Sequence, residues 1–214
     1  MKRRSHLVLS ILTSCILANI PIPVQAFIWE QGIEIIVQRP DLSKAVITTE
    51  DLPNGFKPST PDELAKLKRD FSSGELSVQS VFGFSNNGDL AQLGLIAGAT
   101  YLIPDRFAQV DSSSIQNILS QKIIAIIGDV SQRFQGLELG RQPTQALTNL
   151  DGIGDFAVGA TRALEVQCIP VRMDAVTFRR GKVIAFVLVG YVDGVRPAVN
   201  IATLARQLDS RIPK

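Results

Sequence analysis

The chain has 214 residues, of which 22 are Lys or Arg and 20 are Asp or Glu, giving a formal net charge of +2. This length suits one domain or a pair of small domains. The near balance of charges excludes the large basic excess that marks nucleic-acid-binding proteins, so we expect no nucleic-acid partner.

The first 26 residues have the pattern of a bacterial export signal. Basic residues at 2–4 precede an uncharged apolar run over 7–20, and Val24 and Ala26 are the small residues at positions −3 and −1 of a cleavage site. Cleavage after Ala26 is the preferred interpretation. We therefore expect a protein that works in a periplasm, in a thylakoid-type lumen or outside the cell.

Two other fates of this segment stay open. Residues 12–15 also fit a lipobox, in which Cys15 would be lipidated and become the mature N-terminus. Residues 7–29 contain no charge and reach the roughly 20 residues that a membrane span needs, so an uncut segment would tether the chain to a membrane. The apolar run continues beyond Cys15, which favours cleavage after Ala26 over lipidation.

Processing removes residues that many catalytic mechanisms need. His6 is the only histidine, so cleavage after it excludes Ser-His-Asp and Cys-His mechanisms and histidine-ligated metal sites. The first 26 residues hold three of the 22 basic residues and no acidic one, which leaves 19 against 20 and a net charge of −1. Cys168 then has no disulfide partner, and its apolar neighbours predict an inert buried thiol. We expect no enzymatic activity and no cofactor.

The remaining chain is divided by its pattern into a lead-in over 27–44 and a folded domain over 45–214. Near the start of the domain, residues 52–56 have the composition of a turn. Residues 60–63, Thr-Pro-Asp-Glu, form a capping box with proline at the first helical position. This motif predicts a helix that ends at about Phe71.

A β-hairpin and a long helix are predicted next. Alternation from Leu76 through Val78 to Phe84 places these side chains on one side of a strand, and residues 86–89 supply a turn before an uncharged return strand over 90–103. Apolar residues at helical spacing predict a helix over 113–134. A strand over 122–127 is the alternative, because β-branched residues dominate there.

The C-terminal part shows a second hairpin followed by a helix. Strands over 174–180 and 182–191 flank a turn in which Gly181 takes the left-handed conformation, and the second strand is apolar on both faces, as a central strand is. The final helix is amphipathic, with apolar residues at 201, 204, 205, 208 and 212. These elements predict an α+β domain with a mainly antiparallel β-sheet packed against helices.

Three segments together resemble the pattern of a known fold family. Residues 47–56 contain a "DLPxGF" motif, residues 152–159 are similar to a "GxGD-x-A" strand entry, and residues 178–183 with 204–212 resemble a closing strand–turn–strand–helix unit. The family is the PsbP-like fold of exported bacterial proteins, and the resemblance covers about 45–212. It implies a PsbP-like single domain with an accessory or binding role.

The role of the PsbP proteins themselves does not carry over to this chain. Members of the family assist the photosynthetic oxygen-evolving complex, and some are linked to calcium or manganese. The histidines implicated in such roles have no counterpart here after residue 26. The resemblance therefore implies a non-enzymatic binding domain and no particular metal.

Two groups of residues are candidate binding sites. Asp151 and Asp155 lie four positions apart on a glycine-rich loop and could supply oxygen ligands to a hard cation such as calcium. A turn whose aspartates bind local amides is the simpler interpretation. Arg179, Arg180 and Lys182 form a basic hairpin tip that could contact a phosphate or an acidic partner, and a solvated tip is the simpler interpretation.

These observations lead to one expected function and one alternative. We expect a non-enzymatic exported accessory or binding module that docks on a membrane complex or on another extracytoplasmic protein. The alternative is a carrier that holds a small apolar ligand between the sheet and the predicted helix over 113–134.

Overall fold

The computed structural model describes residues 40–72, 77–86, 88, 94–104, 137–138, 143–166 and 168–213. Contacts divide the chain into a unit over 1–39 and a unit over 40–214, and the described residues all belong to the second unit. The export signal, including Cys15 and the Ala26 cleavage site, lies outside the described residues. So does the helix predicted over 113–134, and with it the ligand site that the carrier hypothesis places beside it.

The described residues form eight strands, two α-helices and a short 3-10 helix. In chain order they are the 3-10 helix Thr49–Asp51, β1 Lys57–Pro58, α1 Pro61–Phe71, β2 Ser77–Asn86, β3 Gly94–Leu102, β4 Leu137–Glu138, β5 Gln145–Ala146, β6 Phe156–Val166, β7 Ile169–Arg180, β8 Val183–Val192 and α2 Ile201–Ser210.

The eight strands form one sheet with the order β1-β2-β3-β8-β7-β6-β4, and β5 also pairs with β6. Every one of these pairings is antiparallel. The prediction of an α+β domain with a mainly antiparallel sheet is thus confirmed. β8 lies between β3 and β7, and all its residues from Val183 to Val189 are buried, as predicted for a central strand.

Each face of the sheet carries an apolar layer. The first layer contains buried residues of α2, of the sheet and of the segment before β1, such as Leu204, Phe178 and Ile47. It begins at Leu42, which is only 3% exposed. On the opposite face, Phe71 of α1 packs edge to face on Phe186 of β8, with 5.5 Å between ring centroids. Burial of one large apolar side chain stabilises a fold by about 1.5–3 kcal/mol.

The two helices begin at the residues that their sequences indicate. Thr60 and Glu63 form the predicted capping box: Thr60 N donates to Glu63 Oε2 at 2.7 Å, and Glu63 N donates to Thr60 Oγ1 at 3.4 Å. Asn200 caps α2 by accepting from Thr203 N at 3.1 Å. The apolar face predicted for α2 is confirmed as buried against the sheet. Neither described helix is long and apolar enough to cross a membrane.

The predicted alternation in β2 is wrong at Val78. The register between β2 and β3 shifts there: Val78 pairs with Tyr101, and Ser80, two residues later, pairs with Thr100, which is only one residue earlier in β3. Gln79 is therefore the extra residue of a β-bulge, and a bulge reverses the side of the residues that precede it. Val78 packs in the layer that contains Phe71, while Phe84 packs in the layer that contains α2.

Candidate functional site

The loop predicted as a cation site is bound to the neighbouring hairpin through Asp155. Asp155 Oδ2 accepts a hydrogen bond from Gly181 N at 2.7 Å, and Asp155 Oδ1 lies 3.8 Å from Arg180 Nη1. The main-chain N–H of Asp155 donates to Arg179 O at 2.6 Å. A cation at this carboxylate would compete with an amide donor and a guanidinium.

Asp151 contributes its main chain rather than a carboxylate contact. Arg206 of α2 donates from Nη2 to Asn149 O at 3.1 Å and to Asp151 O at 3.3 Å. The backbone of Asn149 is left-handed, with φ 64°. Within the described ranges, no group of three or more His, Cys, Asp or Glu side chains is placed to hold a metal ion.

The basic hairpin tip is only partly exposed, because Arg179 and Arg180 both donate hydrogen bonds to neighbouring groups of the domain. Arg180 donates from Nε to Asp209 Oδ1 at 2.8 Å and from Nη2 to Asp209 Oδ2, and the side chain is 28% exposed. These bonds raise the pKa of Arg180 above its usual value. Arg179 donates from Nε to Gly181 O at 2.7 Å, and Lys182 is exposed. The expectation of three solvated cations is corrected at Arg180.

Asp209 joins the loop, the tip and the end of α2. Its side chain is 7% exposed, and Oδ2 also accepts from Gly154 N at 3.0 Å. Gly154 lies so close to the hairpin that a Cβ would be 2.3 Å from Arg179 O. We call residues 149–155, 179–182 and 206–211 together the clamped end.

A second group of polar side chains lies on the face of the sheet that α2 covers. It is near the C-terminal end of β8, whereas the hairpin tip is at the N-terminal end of that strand. Its members come from β6, β7, β8 and the turn after β8. We call it the Asp174 cluster, and it consists of Thr161, Arg172, Asp174, Tyr191 and Asp193.

Hydrogen bonds connect the members of this cluster in two groups. Tyr191 Oη donates to Asp174 Oδ2 at 3.0 Å. Arg172 donates from Nε to Asp193 Oδ1 at 2.7 Å and from Nη1 to Thr161 Oγ1 at 3.5 Å. The hydrogen bond from Arg172 lowers the pKa of Asp193, and burial together with the charge of Asp174 raises the pKa of Tyr191. Tyr191 therefore keeps the proton that it donates.

Asp174 is the unusual member of the cluster. The residue is 8% exposed, and Oδ1 is buried without a hydrogen-bond donor in the described part of the chain. Met173 and Ala175 on either side belong to the apolar layer of the opposite face, and Val176 shares the face of Asp174. The sequence did contain this signal: a carboxylate stands among the apolar residues Met173, Ala175 and Val176 of β7.

The prediction that Cys168 is buried is wrong. Cys168 is exposed and lies in the turn that joins β6 to β7, with a left-handed φ of 64°. Its apolar sequence neighbours indicated burial, but the two strands end on either side of it, so the thiol projects from a turn.

Neither a scan of protein-family models nor a search of curated proteins finds a match. The clamped end and the Asp174 cluster are therefore the features that bear on function.

Proposed function

We propose that the protein is an exported, non-enzymatic binding module that docks on a membrane complex or on another extracytoplasmic protein. The observation that carries this proposal is the clamped end, an exposed set of loops that side chains of α2 hold in a single arrangement. We include in the proposal a PsbP-like single domain, which the resemblance of residues 45–212 supports.

Loops that are fixed before binding favour recognition. Arg206 holds residues 149–151, and Asp209 holds both Gly154 and Arg180. A docking surface built in this way loses little conformational entropy when a partner binds, so more of the contact energy appears as affinity.

The exposed side chains of the clamped end indicate the chemistry of the partner. Lys182 is exposed at the tip, beside Arg179, and Gly181 has no atom within 4 Å of the position of a Cβ. A surface that approaches this tip meets the side chains of two cations. We infer that the partner presents an acidic surface.

Carboxylates at this end that form hydrogen bonds within the fold support a binding role over catalysis. Asp209 and Asp155 accept hydrogen bonds from the chain itself, and Asp51 binds Arg211. Cleavage of the export signal would also remove His6, the single histidine. Carboxylates that are bound to guanidinium groups and amides are poorly placed to exchange protons with a substrate.

Docking can be tested by affinity recovery from solubilised membranes in mild detergent. The variant Lys182→Glu reverses the charge of the exposed tip, and Lys66→Glu makes the same change on the exposed side of α1, which packs on β2. We expect the unmodified protein and Lys66→Glu to recover the same partner in stoichiometric amount, and Lys182→Glu to recover less. Repeated recovery of the protein alone, or equal recovery by both variants, would contradict the proposal.

A further inference from the structure

Asp174 Oδ1 is a buried acceptor that the fold leaves without a donor. The residue is 8% exposed, and Tyr191 satisfies only the other carboxylate oxygen. Buried polar atoms in folded proteins nearly always have a hydrogen-bond partner, so an exception calls for an explanation. A carboxylate oxygen accepts and never donates, and its missing partner must therefore be a donor.

The charges of the cluster show what kind of donor is missing. Arg172 is the one cation of the cluster, and it donates hydrogen bonds to Asp193 and Thr161. One guanidinium and two carboxylates leave the cluster with a net charge of −1. Buried charges in proteins are usually paired, and among the described residues no cation donates a hydrogen bond to Asp174 Oδ1.

We propose that the Asp174 cluster binds a small ligand through a protonated primary amino group. One N–H of the ammonium donates to Asp174 Oδ1. Tyr191 Oη donates a hydrogen bond to Oδ2, keeps its proton, and has lone pairs that accept a second N–H. The positive charge of the ligand balances the cluster, whereas a carboxylate or phosphate ligand would add a third negative charge.

This ligand site is separate from the docking surface proposed above. Asp174 lies six residues along β7 from Arg180, which corresponds to about 20 Å of extended strand. The two proposals can therefore fail independently of each other.

The test is a titration of the ¹⁵N-labelled full-length chain with ethylammonium chloride, followed by NMR on the main-chain amides of 172–174 and 190–192. We expect saturable shifts for the unmodified chain and, because a hydrogen bond to a charged group is lost, about tenfold or more weaker binding for Asp174→Asn. Asp62→Asn on the exposed first turn of α1 is the matched control and should bind as the unmodified chain does.

A second cation and a second variant test whether binding requires the N–H groups of the ligand and the acceptor oxygens of the cluster. Tetramethylammonium has the same charge but no N–H, so we expect it to give no saturable shifts. Tyr191→Phe removes the second acceptor and should weaken binding of ethylammonium, which provides a test if Asp174→Asn does not fold. Linear shifts with ethylammonium, equal binding of tetramethylammonium, or unchanged affinity in both variants would overturn the proposal.

Discussion

Arg211 binds both carboxylate oxygens of Asp51, 160 residues earlier in the chain, with two hydrogen bonds of 2.7 Å. Asp51 also accepts from Thr48 N at 2.7 Å, and Arg211 donates to Val46 O as well. The pair fastens the segment before β1 to the end of α2. Since residues of that segment, such as Ile47, belong to the apolar layer beneath α2, the ion pair closes this layer at one end.

Removal of this pair should destabilise the domain. The side chain of Asp51 is 9% exposed, so Asp51→Asn removes charge-assisted hydrogen bonds from a mostly buried site. We expect the free energy of unfolding at pH 7 to fall by about 1–3 kcal/mol. Urea unfolding followed by circular dichroism measures the change. Glu50→Gln, on the exposed neighbouring residue, is the control and should leave the urea midpoint unchanged.

The ion pair between Asp51 and Arg211 should also make the stability of the domain depend on pH in the acidic range. Burial acts to raise the pKa of Asp51, but the hydrogen bonds from Arg211 and Thr48 outweigh it and hold the pKa below its usual value. A carboxyl whose pKa is lower in the folded state stabilises the fold fully above its unfolded pKa of about 3.9 and loses this contribution as pH falls through the folded pKa. Below about pH 4, the unmodified domain should therefore lose stability more steeply than Asp51→Asn. Parallel acid profiles would contradict this assignment.

Asp209 and Asp155 bind the same guanidinium but should differ in their effect on stability. Asp209 is 7% exposed and binds Arg180 and Gly154, while Asp155 is 50% exposed. Loss of a largely buried partner leaves unpaired polar groups, so Asp209→Ala should cost about 2–4 kcal/mol. Asp155→Ala should cost less than about 1 kcal/mol, as for exposed pairs. Equal losses in urea unfolding would mean that Asp209 is not the anchor of the clamped end.

Two glycines of the 149–155 loop provide a further matched pair. Gly152 and Gly154 both have a left-handed backbone, with φ 75° and 61°. A Cβ at Gly152 would meet nothing within 4 Å, whereas at Gly154 it would lie 2.3 Å from Arg179 O. We expect Gly152→Ala to cost about 1 kcal/mol from backbone strain alone and Gly154→Ala about 3 kcal/mol or more. Similar thermal midpoints for the two variants would show that the close approach to the hairpin is absent.

Local signals made much of this fold predictable. The capping box at Thr60 and the glycine turn at Gly181 each fix the backbone through contacts within a few residues, and both are confirmed. The apolar face of α2 is set by spacing along one helix and is confirmed too. Such features depend on neighbours in sequence, which the sequence displays directly.

Features that depend on contacts between distant segments could not be predicted in this way. The bulge at Gln79 follows from how β2 must fit β3, and it moves Val78 to the other face. Arg180 at an apparently solvated tip is bound by Asp209, which is 29 residues away and on another element. Asp174 could have been noticed as an inward carboxylate, but its missing donor becomes visible only when the partners of both oxygens are known.

The exposed turn at Cys168 offers a check on both the fold and the processing of the chain. The thiol of Cys168 is accessible, so it should react with a maleimide in the absence of denaturant, and Cys168→Ser should abolish that reaction in a chain cut after Ala26. The number of reactive thiols and the intact mass then show whether the chain is cut after Ala26, lipidated at Cys15 or uncut. A chain that begins at Phe27 has one reactive thiol, a lipidated Cys15 adds the mass of its acyl groups, and a chain that begins at Met1 has two thiols. Labelling of Cys168 only after unfolding would contradict its place in the turn, because the thiol would then be buried as its sequence neighbours first indicated.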